Sequence, residues 1–358
     1  MNLSESDARQ STLFKAMRFP LIVMVLYVHS SGVSIHHTLT WDLEGWNIFH
    51  AFSSLISQDI CSIATCWFFF FSGYLFYWNL KDGEFGKDWI FQKWKKRIHS
   101  ILIPYLLWNT LMVLCVFLKN KLYNLISLGS NPVELESIEK GPLFWYITGP
   151  VDFPLWFLLD LIILTIIAPA LYPIFKKCGY LALVPFAVLY LSPWGPSIPS
   201  VRGIFYFSIG ACLGIHKDSI LEISKKSRIW TSIAALLLLF LTLIHSGQPS
   251  YWLWLRLFIP FGMIVFMNFC DRLIENKKIA EWLCAMSSTV FFVYAIHEIY
   301  ILGWIKGLFL RIFGESLTAT WISYLFVPVA TLFLCLSLYA FFKRMSPKLL
   351  AFTCGGRV

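Results

Sequence analysis

Residues 17–32 read MRFPLIVMVLYVHSSG, an apolar run bounded by two ionisable side chains. Arg18 stands at its start, and His29 follows eleven residues later. Because an α-helix advances by about 100° per residue, that spacing returns both side chains to nearly the same face. At about 1.5 Å per residue they lie roughly 16 Å apart along the helix axis. The segment therefore predicts a helix that enters a membrane at Arg18 and carries an imidazole about halfway across it.

An ionisable side chain at membrane depth is costly and usually has a function. The distance between Arg18 and His29 is similar to the reach of an extended pantetheine arm, which is also roughly 16 Å. We therefore take the spacing as a hypothesis for an acyl-CoA site, with phosphates at Arg18 and the thioester at His29. The alternatives are that His29 is satisfied by a neighbouring helix or belongs to a proton relay, and that Arg18 is an ordinary interfacial anchor.

The composition of the chain fits a protein surrounded by lipid. Of its 358 residues, 58% are hydrophobic and 14% charged, and the mean hydropathy is +0.68. A soluble domain of this size needs more polar exterior. The nine cysteines show no metal-type spacing, so we expect no metal site and no disulfide framework. We attribute the net charge of +9 to cytoplasmic loops rather than to nucleic-acid binding.

Hydropathy predicts an all-α polytopic membrane protein with about ten transmembrane helices. We expect a single membrane domain over residues 1–358, with no appended soluble domain. The segment 47–59 is too polar to span and is predicted to be interfacial or re-entrant. The ten predicted spans lie near residues 17–36, 60–80, 98–118, 153–174, 179–193, 201–216, 229–246, 251–270, 284–304 and 318–342.

The distribution of lysine and arginine predicts the orientation of these spans. With the N-terminus inside, the inner turns and both tails hold 22 of the 29 basic residues. Basic residues accumulate on the cytoplasmic side of membrane proteins. The sequence therefore predicts that both the N-terminus and the C-terminus lie in the cytoplasm.

Several polar side chains are predicted to lie at one depth in the membrane. Depths counted from the predicted interfaces at about 1.5 Å per residue are good to one helical turn. Each polar group at such a depth needs a partner or water, so their convergence indicates a buried reaction chamber. The side chains in this layer are those of His29, Asp160, Arg256, His297 and Glu298, with Ser72 and Asn109 near the middle of the bilayer.

Five segments, taken in chain order, carry a family resemblance. They are the Arg18-to-His29 spacing, FFFFSGYLF at 68–76, KKRIHSILIPYLLWN at 95–109, PLWFLLDLIIL at 154–164 and SSTVFFVYAIHEIYI at 287–301. Together they resemble the acyltransferase 3 family of membrane proteins, which O-acylate carbohydrates from acyl-CoA. There are two departures: Ser100 stands where many members have a second arginine after Arg97, and Leu159 stands where a basic residue is common.

The chemistry of acyl transfer suggests roles for the polar layer. A hydroxyl is a poor nucleophile, so a general base must take its proton, and His29 is our candidate. Asp160 and Glu298 are candidates for the acceptor that orients His29, and either could instead pair with Arg256. His297 is a second acid or base, or a structural donor.

Other side chains are candidates for binding the two substrates. The candidates for the CoA phosphates are Arg18, Lys93, Lys95, Lys96 and Arg97, with Lys95 or Lys96 replacing the arginine missing at Ser100. Topology alone would also place basic residues there. The candidates for lining the chamber are Ser72, Tyr105, Trp108, Asn109, Trp156 and Arg256, of which Asn109 and Arg256 could also stabilise an oxyanion. Tyrosine and tryptophan near membrane interfaces are more often plain interfacial residues.

The resemblance implies an O-acetyltransferase in the cytoplasmic membrane of a bacterium. Its expected donor is acetyl-CoA, with succinyl or another short acyl group left open, and its expected acceptor is a surface polysaccharide, glycolipid or lipid-linked sugar. A proton-coupled transporter with His29, Asp160 and Glu298 as a relay is the alternative. A flippase or polymerase of lipid-linked glycans is a third possibility. The oligomeric state is not indicated by the sequence.

Overall fold

The computed structural model describes residues 3–30, 44–125 and 139–357, and within these ranges the protein is all α, as predicted. The helices are α1 Leu3–Ser30, α2 Gly45–Ser54, α3 Ile63–Tyr77, α4 Lys87–Arg97, α5 Ile103–Leu125, α6 Gly141–Ile147, α7 Trp156–Cys178, α8 Val184–Leu191, α9 Val201–His216, α10 Ile220–Ile244, α11 Tyr251–Leu273, α12 Lys277–Met286, α13 Val290–Ile296, α14 Leu302–Phe313, α15 Leu317–Met345 and α16 Pro347–Thr353.

Eight helical stretches of the described chain are long and apolar enough to cross a bilayer, so this is a polytopic membrane protein. The predicted fifth span is a 3₁₀ turn, Gly179–Leu183, followed by the short α8; α7 ends before Gly179, whose φ is 56°, and the chain turns there. The predicted sixth span is the 16-residue α9, most of which is buried among other helices. The stretches are Ser6–Ser30, Gly45–Tyr77, Lys87–Leu122, Phe153–Leu191, Ile220–Ile244, Tyr251–Leu273, Val290–Phe313 and Leu317–Met345.

Helices α3 and α9 cross in close contact because glycines lie at the crossing. A Cβ atom on Gly73 would lie 2.9 Å from the backbone nitrogen of Ala211, and one on Gly210 would lie 2.9 Å from that of Tyr74. Real Cβ atoms do not approach backbone atoms so closely, so any larger residue at either position would clash with the backbone of the facing helix. Small residues allow membrane helices to pack in this way. The crossing fixes the position of Ser72, which precedes Gly73.

The segment predicted to be interfacial or re-entrant continues into α3. Helix α2 passes through a π-helical turn, Leu55–Ile60, so that Gly45–Tyr77 forms one long stretch. Its polar side chains find partners inside the protein: Ser57 Oγ donates to the carbonyl of Tyr27 at 2.7 Å, and the Tyr251 hydroxyl donates to Asp59 Oδ1 at 2.6 Å. These contacts satisfy polar groups of the segment inside the protein, and its interfacial or re-entrant position stays a prediction.

The predicted ninth span, 284–304, is broken in the structure. Helix α13 ends at Ile296, and a kinked π-helical turn, His297–Ile301, leads into α14. Within the turn Ile299 has ψ 72°, and Tyr300 has the positive φ of 63°. A positive φ is unfavourable for a side chain as large as tyrosine, and such strain is concentrated at functional sites.

Candidate active site

A cavity of about 710 Å³ runs through the helical bundle, and the side chains of Arg18 and His29 both line it. The expectation that these two side chains share a face of α1 is therefore confirmed. The cavity walls also include Ser72 of α3, Trp156 of α7 and Tyr251 of α11. The cavity thus connects the middle of α1 with the end that carries His29.

His29 and Glu298 form a pair at one end of the cavity. His29 Nδ1 lies 3.2 Å from Glu298 Oε1, and their side chains are 17% and 28% exposed. A carboxylate at this nitrogen favours the tautomer that carries its proton on Nδ1. Nε2 is then an unprotonated acceptor, and His29 is a lining residue of the cavity whereas Glu298 is not. This is the arrangement in which a carboxylate orients a general base.

His297 packs directly behind this pair. Its ring centroid is 5.1 Å from that of His29, and its Nδ1 lies 2.8 Å from the carbonyl oxygen of Tyr294. Its Nε2 is buried and has no hydrogen-bond partner in the described chain.

The same three side chains could also hold a metal ion. Ligand atoms of His29, His297 and Glu298 all lie within 4.8 Å of one another. Two histidines and a carboxylate are a common ligand set for zinc or non-haem iron. A metal bound through His29 Nδ1 would replace the contact between that nitrogen and Glu298. The metal site and the hydrogen-bonded His29–Glu298 pair therefore exclude each other.

Asp152 is an acidic residue of this region that the sequence analysis did not select. It is buried, and its Oδ2 has no hydrogen-bond partner among the described residues. Burial raises the pKa of Asp152 well above its usual value, and the nearby negative charge of Glu298 raises it further. Because the neutral form of Asp152 is favoured, Asp152 does not compete with Glu298 as the negative partner of a protonated His29.

Asp160 and Arg256 do not join the His29 pair in the structure. Asp160 Oδ2 accepts a hydrogen bond of 2.8 Å from the backbone nitrogen of Ser200. Arg256 Nη1 donates to the carbonyls of Tyr190 at 3.0 Å and Ser192 at 2.5 Å. Of the two carboxylates that the sequence left open, Glu298 is the one that meets His29. The alternative in which either carboxylate pairs with Arg256 does not occur in the structure, because Arg256 donates to backbone carbonyls.

Three arginines line the opposite end of the cavity: Arg18, Arg97 and Arg357. Arg97 Nη2 donates to the carbonyl of Ser72 at 3.4 Å, and none of the three forms an ion pair with a described carboxylate. Arg357 lies over the ring of Phe291 at 4.5 Å, and its Nη1 is buried without a hydrogen-bond partner in the described ranges. Burial, together with the nearby positive charges of Arg97 and Arg18, lowers the pKa of Arg357 to about 10.

Uncompensated positive charges that are partly removed from water favour an anionic ligand. Three guanidinium groups at one end of a cavity can pair with several phosphate oxygens at once. This end of the cavity is therefore a candidate phosphate-binding site.

Arg357 reaches this site because the segment 346–357 folds back onto α5 and the turn before it. Trp108 Nε1 donates to the carbonyl of Thr353 at 3.0 Å. Gly355, with φ 63°, packs so closely on Ser100 that an added Cβ would lie 2.7 Å from the Ser100 Cα. The sequence analysis missed Arg357, although the departure at Ser100 was a signal. Ser100, the small residue at the position of the expected arginine, leaves room for the segment 346–357, which carries Arg357.

The remaining predicted residues divide into lining and structural groups. Ser72 and Trp156 line the cavity, and the Ser72 hydroxyl is buried without a partner in the described chain. Lys95 and Lys96 are exposed, and Lys93 lies over the Trp89 ring at 5.0 Å, so the structure does not bring them into the cavity.

The polar groups of Tyr105 and Asn109 hold backbone instead of lining the cavity. Asn109 Oδ1 accepts from the backbone nitrogens of Val151 and Asp152, and its Nδ2 donates to the carbonyl of Trp145. The Tyr105 hydroxyl donates to the carbonyl of Tyr146 at 3.1 Å. Trp108 likewise donates to the carbonyl of Thr353, so these three residues support the structure around the cavity and are not part of its lining.

A polytopic helical membrane protein with a partly buried histidine–carboxylate pair and a cationic cavity end has the features expected of a membrane acyltransferase. The chain belongs to the acyltransferase 3 family, because the model of that family, described as an acyltransferase domain, matches residues 14–340. The protein is therefore a multi-pass membrane enzyme that transfers acyl groups. The transporter and flippase alternatives find no support in this membership.

One relative gives a further comparison. The chain is similar to the succinoglycan biosynthesis protein ExoH of Rhizobium meliloti (strain 1021), with 24% identity over 373 residues. The match covers 98% of this chain and 94% of that protein. No solved structure gave a significant match.

Proposed function

We propose that this protein transfers an acyl group, acetyl in the first instance, from acyl-CoA to a hydroxyl of a polysaccharide or lipid-linked glycan. The observation that carries the proposal is one cavity with a histidine–carboxylate pair at one end and three arginines at the other. Family membership supports the acyl transfer. The succinoglycan-related name of the relative supports a polysaccharide acceptor and leaves succinyl open as the acyl group.

In the proposed reaction His29 is the general base. Its Nε2 takes the proton of the acceptor hydroxyl as that oxygen attacks the thioester carbonyl, and Glu298 stabilises the imidazolium that forms. The tetrahedral intermediate then collapses, the carbon–sulfur bond breaks, and the sulfur leaves with the proton held by His29. The products are the O-acyl ester and the free thiol of CoA, and His29 returns to its neutral form.

The three arginines are proposed to bind the phosphates of acyl-CoA. The axial separation of Arg18 and His29 is roughly 16 Å, which suits a pantetheine arm extended along the cavity. Holding the donor at its phosphates positions the thioester beside His29, and positioning alone can lower a barrier by several kcal/mol. No step of the proposed mechanism is routed through a metal ion.

The two substrates are proposed to enter from opposite sides of the bacterial cytoplasmic membrane. The predicted orientation puts the Arg18 end of α1 towards the cytoplasm, where CoA esters are made, and the His29 end towards the outside. A glycan waiting outside, or carried on a lipid, then meets the thioester near His29.

The first experiment is thiol release from acetyl-CoA by membranes that contain the protein, with a cell-surface glycan as acceptor. We expect release that depends on the acceptor and disappears in His29→Asn. The matched control is His245→Gln: His245 is partly buried at the end of α10 and does not line the cavity. Equal loss in both variants, or full release in His29→Asn, would overturn the assignment of His29.

A further inference from the structure

A second cavity of about 320 Å³ adjoins the main one. It lies between the segment after α8 and the first turns of α7, α9 and α11, and Trp156, Arg202 and Trp252 line both cavities. Its size is at the lower end of small-molecule sites, which occupy about 300–1,000 Å³. In the predicted orientation, the turns that form it lie on the same side of the membrane as His29.

Two arginines face this side cavity without a counter-ion. Arg256 is held by the carbonyls of Tyr190 and Ser192, and its guanidinium lies 5.9 Å from the centre of the Tyr190 ring. Arg202 lines the wall between the two cavities, and no carboxylate of the described ranges forms an ion pair with either arginine. Asp160, the acidic group bound to Ser200 nearby, makes its hydrogen bond to backbone.

Aromatic rings form the rest of the side cavity. Trp156, Trp194 and Trp252 contribute three indoles, and Trp194 is 80% exposed at the mouth. A pyranose ring presents apolar C–H faces that pack against such rings, while its hydroxyls and charges require polar partners. Indole walls around two guanidinium groups therefore fit a sugar that carries a negative charge.

We propose that the side cavity binds an anionic sugar unit of the acceptor, next to the unit whose hydroxyl reaches His29. Arg202 and Arg256 contact the anionic substituent, and Trp194 packs on the ring. The inference rests on the proposed function and adds to it the charge of the acceptor. A guanidinium fork matches a carboxylate and also binds phosphate, so a sugar acid and a sugar phosphate are the two sources of this chemistry.

The test measures binding of defined saccharides to the purified protein in lipid nanodiscs. The probes are an oligogalacturonate, the same oligomer with its carboxylates reduced to alcohols, glucose 1-phosphate and glucose. We expect at least one anionic probe to bind tenfold or more tightly than its neutral counterpart. We also expect Arg202→Gln to remove that preference, since a charge-assisted hydrogen bond contributes roughly tenfold to a hundredfold in affinity.

A pair of tryptophan variants keeps the test independent of charge. Trp194→Ala weakens binding of the preferred probe several-fold, whereas Trp230→Ala does not, although Trp230 on α10 is 76% exposed and equally large. The proposal is overturned if the wild type binds charged and neutral probes equally, if the preference survives in Arg202→Gln, or if both tryptophan variants behave alike. Thiol release from acetyl-CoA by the same preparation tests the proposed function separately from this subsite.

Discussion

Glu298 is the residue whose charge determines how strongly His29 can act as a base. We predict that Glu298→Gln lowers kcat roughly 100-fold or more, because the imidazolium formed at His29 loses its counter-charge. The KM for acetyl-CoA should change little, since Glu298 does not line the cavity. Steady-state thiol release at varied acetyl-CoA gives both constants.

The variant Asp160→Asn tests which of the two candidate carboxylates, Asp160 or Glu298, orients His29. Asp160 holds the backbone of Ser200, so its variant should reduce thermal stability or expression more than kcat per folded molecule. A larger loss of kcat in Asp160→Asn than in Glu298→Gln would reverse our assignment of the orienting group.

Arg357 gives a second prediction at this scale. Replacement by Gln should raise the KM for acetyl-CoA tenfold or more, because a charge-assisted contact to phosphate contributes about 1.5–3 kcal/mol. With S-acetylpantetheine, which has no nucleotide, the wild type and the variant should have similar KM values. Lys96→Gln is the matched control, since Lys96 is an exposed cation on α4 outside the cavity. An equal effect of Arg357→Gln on both donors would mean that Arg357 only supports the fold.

The crossing of α3 and α9 carries a prediction about a whole element. Gly210→Val places a branched side chain against the backbone of Phe70 and Tyr74, and we expect it to lower the free energy of unfolding by about 1–3 kcal/mol or to prevent insertion. The control is Gly303→Val on α14, where an added Cβ meets no atom within 4 Å. Thermal unfolding in detergent compares the two, and equal midpoints would argue against a tight crossing.

Elements differ in how well the sequence predicted them, and the reason is physical. Spans such as 251–270 can be predicted from the length of an apolar run alone, because a helix must be about 20 residues long to cross a bilayer. The structure has α11 at Tyr251–Leu273. The break at His297–Ile301 depends on surrounding helices that hold Tyr300 at a positive φ. Without that break, depth counting placed Glu298 and Asp160 at the same level and could not choose between them. The buried partners of Ser57 and Asp59 could not be predicted either, since they lie far away in the sequence.

At the scale of the whole molecule, the site joins parts of the chain that no local pattern connects. The Arg18–His29 spacing was predictable because both residues lie on one helix. Arg357 could not be placed from sequence, because its position depends on how Gly355 packs against Ser100, 255 residues earlier. The side cavity likewise combines the segment after α8 with the starts of three helices, α7, α9 and α11. The spacing on one helix was therefore predictable, whereas the choice of Glu298 over Asp160 and the position of Arg357 depend on tertiary packing.

The cavity as a whole predicts which side of the membrane each substrate must reach. CoA esters carry several negative charges and do not cross lipid, and the arginine end of the cavity lies on the predicted cytoplasmic side. Inside-out vesicles should therefore release thiol from added acetyl-CoA, while right-side-out vesicles should not until detergent opens them. Activity in right-side-out vesicles alone would reverse the predicted orientation and put the arginines outside. Equal activity in both would mean that the donor site opens to both sides, which contradicts separate entry of donor and acceptor.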